Sequence, residues 1–133
     1  MPITIESTAT EANTYGHPFV GPGAQYTDVV KVDISALTTA EVDTAGNIKP
    51  GLPLLKTGLP VTAGLAYGVT LEPIKIAANN ATATLAAAVD CFVALGTHGV
   101  VNRDIMEDNL GRVLTAAEIA GFTDNGSLKL TRT

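Results

Sequence analysis

The clearest patterning in the chain is TDVVKVDISAL at residues 27–37, where Val30, Val32 and Ile34 alternate with Lys31, Asp33 and Ser35. A period of two sends successive side chains to opposite faces, so this stretch predicts a half-buried β-strand. AGLAYGVTLEPIKIA at 63–77 has the same character, with Tyr67, Val69 and Leu71 alternating until Pro73 interrupts and IKI resumes. Proline removes a ladder donor, so two short strands with a bend are predicted there. Between these segments, TAGNIKPGLPLLKTG at 44–58 gathers turn residues around a short apolar run. Its prolines, Pro50 and Pro53, suit a loop leading into an edge strand better than a central strand.

Further along, ANNATATLAAAVDCFVALG at 78–96 mixes helix formers with β-branched and aromatic residues, and predicts a loop or short turn followed by a strand across 90–95. The flanking glycines of GTHG at 96–99 then predict a turn between two apolar segments, because glycine reaches backbone conformations that other residues avoid. NRDIMEDNLG ends in Gly111, and TAAEIAGF opens with Thr115 three residues before Glu118, the spacing of a capping box. Two short helices are predicted here. SLKLTRT at 127–133 alternates once more and supplies a final strand, so the fold class is mainly β, or α+β.

Residues 1–26 are different: rich in Thr, Gly, Pro, Glu and Asn, they hold no periodicity for long, and isolated aromatics flank GHPFVGPGAQ. They read as an extended N-terminal arm over 1–26, followed by a single β-rich domain over 27–133. Such an arm is either a disordered tail or a segment that orders by adding to a partner's sheet edge, and the spaced aromatics favour the second. Its removal is expected to leave the domain folded.

Composition narrows the picture. A chain of 133 residues suits one compact domain that buries roughly two thirds of its unfolded surface. Apolar residues make up 46% of it, yet there is no Trp and only 5% aromatics, so the core must be aliphatic and thin for its length. Burial against copies of itself or a partner is the usual remedy. A net charge of −5 and a pI near 4.8, with Lys and Arg scattered along the chain, argue against a nucleic-acid partner. The longest apolar run, 85–101, is broken by Asp90, Gly96, His98 and Gly99, so no membrane span is expected. The N-terminus lacks the basic start and continuous apolar stretch of a secretory signal, so the chain is expected to stay where it is made.

Candidate chemistry is sparse. Cys91, His98 and Asp90 or Asp104 supply the residue types of a nucleophile, a base and an orienting group. In an extended strand, however, Cys91 and His98 would stand about 23 Å apart at ~3.3 Å per residue, so contact demands a sharp reversal between them. The bland reading is that Cys91, in the run AAAVDCFVAL, is a small buried hydrophobe. His17 and His98 are the only histidines and lie in unlike contexts, so a metal site would have to be shared across subunits. GPG at 21–23 and GTHG at 96–99 lack the spacing and lysine of a phosphate-binding loop. Asp104, Glu107 and Asp108 fall on one face of a short helix, which reads as solvated surface charge together with Arg103 and Arg112. No catalytic residue, cofactor-binding residue or metal ligand is assigned, and the chain is not expected to be an enzyme.

Three motifs occur in an order that points further: IKPGLPLL at 48–55, AYGVTLEPIKI at 66–76, and VALGTHGVVNRDIM at 93–106 followed by AEIAGF at 117–122. In that order, residues 45–125 resemble the lambda-type head decoration, or capsid-stabilising, proteins of tailed bacteriophages. The resemblance implies a small β-tulip or barrel-like domain with one or two short helices and an extended N-terminal arm. It also implies a non-enzymatic homotrimer without cofactor that binds the major capsid protein on the outer surface of the virion. Such a cement protein is made in the host cytoplasm and strengthens the shell. Its arm augments a sheet of the capsid protein, which makes Tyr15, His17, Phe19, Val20 and Tyr26 the expected capsid contacts. The rival reading is a small β-rich ligand- or carbohydrate-binding module of a phage tail or adhesin, which calls for an aromatic-lined groove and is disfavoured by the absence of Trp.

Overall fold

The computed structural model describes residues 15–21, 26–38, 40–43, 46–76 and 90–132. Strand β1 (Tyr26–Asp33) passes through a 3-10 turn (Ile34–Ala36) to four short strands, β2 (Asn47–Ile48), β3 (Pro53–Leu54), β4 (Gly68–Thr70) and β5 (Ile74–Lys75). The long strand β6 (Asp90–Asn102) runs directly into helix α1 (Arg103–Leu110), and helix α2 (Ala116–Ala120) precedes β7 (Leu128–Thr131). The domain is mainly β, as its patterning predicts.

β6 organises the larger sheet, whose order is β1-β6-β4-β3 with β7 also paired to β6; β2 and β5 form a separate two-stranded sheet. β1 pairs antiparallel with β6 from Tyr26↔His98 to Asp33↔Asp90, and β4 meets it at Val69↔Gly96 and Thr70↔Leu95. β7 adds in parallel over Gly99–Asn102. Pro53 lies in β3, the terminal strand of the order, where a missing N–H breaks no ladder. The loop after β3 then returns to β1, since a Cβ added to Gly58 would lie 2.0 Å from the Lys31 carbonyl oxygen. The two ends of the sheet thus approach one another and the sheet curls.

The expected turn at GTHG is not formed. β6 continues through Gly96, Thr97, His98 and Gly99 to Asn102, because partner strands supply hydrogen bonds over this stretch that no local signal reveals. Gly99, with φ 140°, takes a backbone conformation that glycine tolerates, and the strand passes on instead of reversing. Along β6 the alternation is kept: Val93, Leu95, Thr97 and Val101 are buried, while Phe92, Ala94 and Val100 are exposed. Val93, Leu95 and Val101 pack with Val30, Val32, Leu54, Val69, Met106, Leu110 and Leu128 into a mostly aliphatic core.

Both helices carry the caps written in the sequence. The Asn102 side chain accepts from the N–H groups of Asp104 and Ile105, and Gly111 closes α1 in the left-handed conformation. Thr115 and Glu118 form a reciprocal capping box on α2. The same Glu118 carboxylate takes a bidentate pair from Arg112, Nη1 to Oε1 at 2.8 Å and Nη2 to Oε2 at 3.0 Å, and Nη2 reaches Glu41 Oε2 at 3.3 Å. Glu41 in turn accepts the Thr38 N–H at 2.7 Å and the Thr38 hydroxyl at 2.9 Å. Arg112 is therefore no ordinary surface charge: Glu118 above all raises its pKa, and it ties the 38–41 loop to the start of α2. Replacing it strands two buried carboxylates, so Arg112→Ala is expected to cost about 3 kcal/mol. Urea unfolding at pH 7 measures this, and a loss under about 1 kcal/mol would mean that the cluster is an incidental contact.

Candidate interaction surface

The segment before β1 lies along the domain. The Tyr15 hydroxyl donates to Asp43 Oδ2 at 2.7 Å, and burial together with this bond raises the phenol's pKa. The Gly16 N–H donates to Asn109 Oδ1 at 2.9 Å while Asn109 Nδ2 donates to the Gly16 carbonyl at 2.8 Å, so one side chain satisfies both backbone groups as a strand partner would. The approach is close, since a Cβ on Gly16 would sit 3.0 Å from Ile105 Cγ2. Two more bonds, Val20 N–H to the Val100 carbonyl and Asn102 N–H to the Pro18 carbonyl, both at 2.8 Å, hold residues 18–20 against β6. Phe19 is buried and belongs to the core; it pairs with Val101 across the edge opposite β7.

This placement corrects the arm reading for the residues described. Phe19 is engaged by the fold and offers no surface to a capsid, Tyr15 is half-buried on Asp43, and Tyr26 is the first residue of β1. His17, Val20 and Tyr26 remain exposed. Removal of residues 2–26 would strip an aromatic from the core, so that truncation no longer tests the arm alone. Residues 1–14 and 22–25 lie outside the described residues.

A band of exposed apolar side chains runs along the outer face of β1 and β6. Phe92 is 69% exposed, Tyr26 64% and Val29 58%, and Val20 and Val100 are also exposed. Register places them together: Val29 opposes Ala94, Lys31 opposes Phe92, and after an irregularity at Tyr26/Thr27 Tyr26 opposes His98. The Tyr26 and His98 rings meet edge to face with centroids 4.8 Å apart. Together these side chains form a run of exposed apolar positions on one sheet face, with Lys31 beside Phe92.

The other candidates fall apart spatially. Cys91 and His98 sit on one uninterrupted strand with no reversal between them, Cys91 opposite Val32 and His98 opposite Tyr26, so they are not brought into contact. His98 Nδ1 lies 3.0 Å from Thr97 Oγ1 instead. The side chains of Asp90 and Cys91 lie outside the described residues. Among the described residues, no three or more His, Cys, Asp or Glu side chains cluster as a metal site would require, and no helix is long and apolar enough to cross a membrane. Nor is Glu107 simply solvated: it accepts the Leu114 N–H and Arg103 Nε, each at 2.9 Å, and those bonds hold its carboxyl below the usual range. Tyr67 has Lys56 Nζ 5.6 Å from its ring centroid.

Compared with protein-family models, with curated proteins and with solved structures, the chain finds no match.

Two outcomes follow from this geometry. Phe19→Ala is expected to cost about 3 kcal/mol in urea unfolding, because it opens a cavity where this segment, a strap over residues 15–21, meets β6. An unchanged midpoint would mean that the segment contributes nothing to folding. Glu107→Gln should lower stability at pH 7 by about 1 kcal/mol. Because the folded carboxyl is held low, its contribution is present above the unfolded carboxylate pKa of about 4.3 and is lost as pH falls through the lower folded value. Wild type and variant should therefore converge in unfolding midpoint as the pH falls below that folded value.

Proposed function

We propose that this chain is a capsid decoration protein, a homotrimer that binds the outside of a viral shell through its major capsid protein and strengthens it. The observation that carries the reading is the apolar strip Val20–Tyr26–Val29–Phe92–Val100 on an otherwise well-formed domain. Function of this kind lives in buried area: each copy spans neighbouring shell subunits, and a stable contact of that type needs about 800 Å² per partner. The acidic balance suits a protein surface better than nucleic acid, and the aliphatic core suits a domain that gains further burial on assembly. The motif order over residues 45–125 supports the same reading. The strap anchored by Phe19 and Asn109 holds Val20 beside Val100 at the end of that strip.

Native mass and co-sedimentation with expanded, undecorated shells of the encoding virus test the proposal. The expected result is an assembly of three 13.6 kDa chains that sediments with the shells. Phe92→Lys, at an exposed position, should weaken that binding at least tenfold with native mass unchanged, as loss of a central interface contact does. Removal of residues 2–14, which keeps Tyr15, Gly16 and Phe19 in place, should weaken it as well. A stable monomer that stays in the supernatant overturns the reading.

A further inference from the structure

Of the asparagines in the chain, only Asn125, in the turn before β7, is followed by a glycine. An Asn-Gly step loses its side-chain amide more readily than other asparagine steps, because glycine leaves the attacking backbone nitrogen unhindered and the chain free to close a ring. In this fold that side chain is buried and makes four hydrogen bonds. Nδ2 donates to the Ala66 and Gly121 carbonyls, and Oδ1 accepts the N–H groups of Ser127 and Leu128, each at 3.0 Å. A carboxamide has two donors and two acceptor positions, so every one of them is used.

These bonds make Asn125 the junction of three segments. Ala66 leads into β4, Gly121 closes α2, and Leu128 opens β7. The segments approach closely: the Ala66 N–H donates to the Gly121 carbonyl at 2.9 Å, and a Cβ on Gly121 would lie 3.1 Å from Val61 Cγ1. Just before the junction, Asp124 takes φ 59°, a left-handed conformation that is uncommon for a residue with a side chain.

We propose that Asn125 is a self-modification site, which the folded junction holds shut and which opens when the connection from α2 to β7 unfolds. The Gly126 backbone nitrogen gives up its proton and attacks Asn125 Cγ. The new N–C bond closes a succinimide ring while the Cγ–Nδ2 bond breaks, and Nδ2 departs with that proton as ammonia. Water then opens the ring at one carbonyl or the other and leaves Asp or iso-Asp, so the net change is one water taken up and one ammonia released. The folded chain opposes the first step, because departure of Nδ2 takes a donor from both the Ala66 and the Gly121 carbonyls. The products oppose the return. In Asp, a buried carboxylate faces two carbonyl oxygens. In iso-Asp, the backbone gains a carbon just ahead of the Gly99↔Leu128 pairing that sets the register of β7. Conversion of an unfolded chain is therefore one-way, and the chain is lost to the native pool.

The test holds wild type and Gly126→Ala in mildly alkaline buffer, with and without urea, and follows conversion by peptide mass and released ammonia. The urea is then diluted out and the native fraction measured. A Cβ on Gly126 would meet nothing within 4 Å, so the variant should unfold at the wild-type midpoint while its methyl group hinders the attack. Wild type in urea is expected to convert Asn125 at least tenfold faster than in buffer, a factor that the loss of two ordinary hydrogen bonds reaches by itself. Gly126→Ala in urea should convert at least about fivefold more slowly than wild type. Converted wild type should fail to regain the native state on dilution, whereas Gly126→Ala held in urea for the same time should regain it. Equal conversion of wild type with and without urea would mean that the junction guards nothing. Recovery of converted chains at the wild-type midpoint would mean that Asn125 is not needed to close it, and either result overturns the proposal.

Discussion

The structure depends on one strand being paired along both of its edges. At Leu95 and Gly96, β6 lies between β1 and β4, and at Val101 it lies between Phe19 and β7. Once both edges are satisfied the strand cannot rotate, so its alternation becomes a division of the molecule. Val93, Leu95, Thr97 and Val101 face the core, and Phe92, Ala94 and Val100 face solvent. A slip of one residue would exchange the two sets, exposing four core side chains and burying the strip. The pairing that makes the fold unique is therefore also what fixes the exposed strip.

Around this strand the connections are held by charge and capping, because a core without Trp has little aromatic bulk with which to pin its loops. Glu118 caps its own helix and grips Arg112, Arg112 reaches Glu41, and Glu41 closes the turn at Thr38. Glu107 works in the same way, holding Arg103 one turn earlier in its helix and the Leu114 N–H beyond its end. Each carboxylate serves a backbone donor as well as a guanidinium, which is what makes its burial tolerable.

Local signals were legible wherever the structure is locally determined. The alternation of Val30, Val32 and Ile34, the Asn102 and Gly111 ends of α1, and the Thr115/Glu118 box all rest on groups within four residues of one another. Pro53 marked an edge because its missing N–H is a property of one residue. What escaped was set by distant partners. GTHG read as a turn because glycine permits one, yet permission is not a driving force, and β1, β4 and β7 hold it extended. Phe19 sat among turn residues with no periodicity to betray its burial, and only the twin bonds between Asn109 and Gly16, 93 positions apart, place it. Arg112 and Glu118 are six residues apart, too far for helix spacing to pair them. The strip was half legible: its alternation was written in β1, but the register that sets Lys31 beside Phe92 was not.

The strap joins these threads. Phe19 enters the core opposite Val101, while its neighbour Val20 lies beside Val100 at the end of the exposed strip. Adjacent residues of an extended segment thus serve opposite faces of the same sheet: one fastens the segment and the other extends the exposed strip. Val20 therefore belongs to a segment that Phe19 and Asn109 hold in place. Because this segment is ordered by the fold itself, the conformational entropy of those residues is spent in folding, and under the decoration reading it would not be charged against binding. Fastening residues 15–21 to the domain thus fixes where Val20 stands, beside Val100 at the end of the strip.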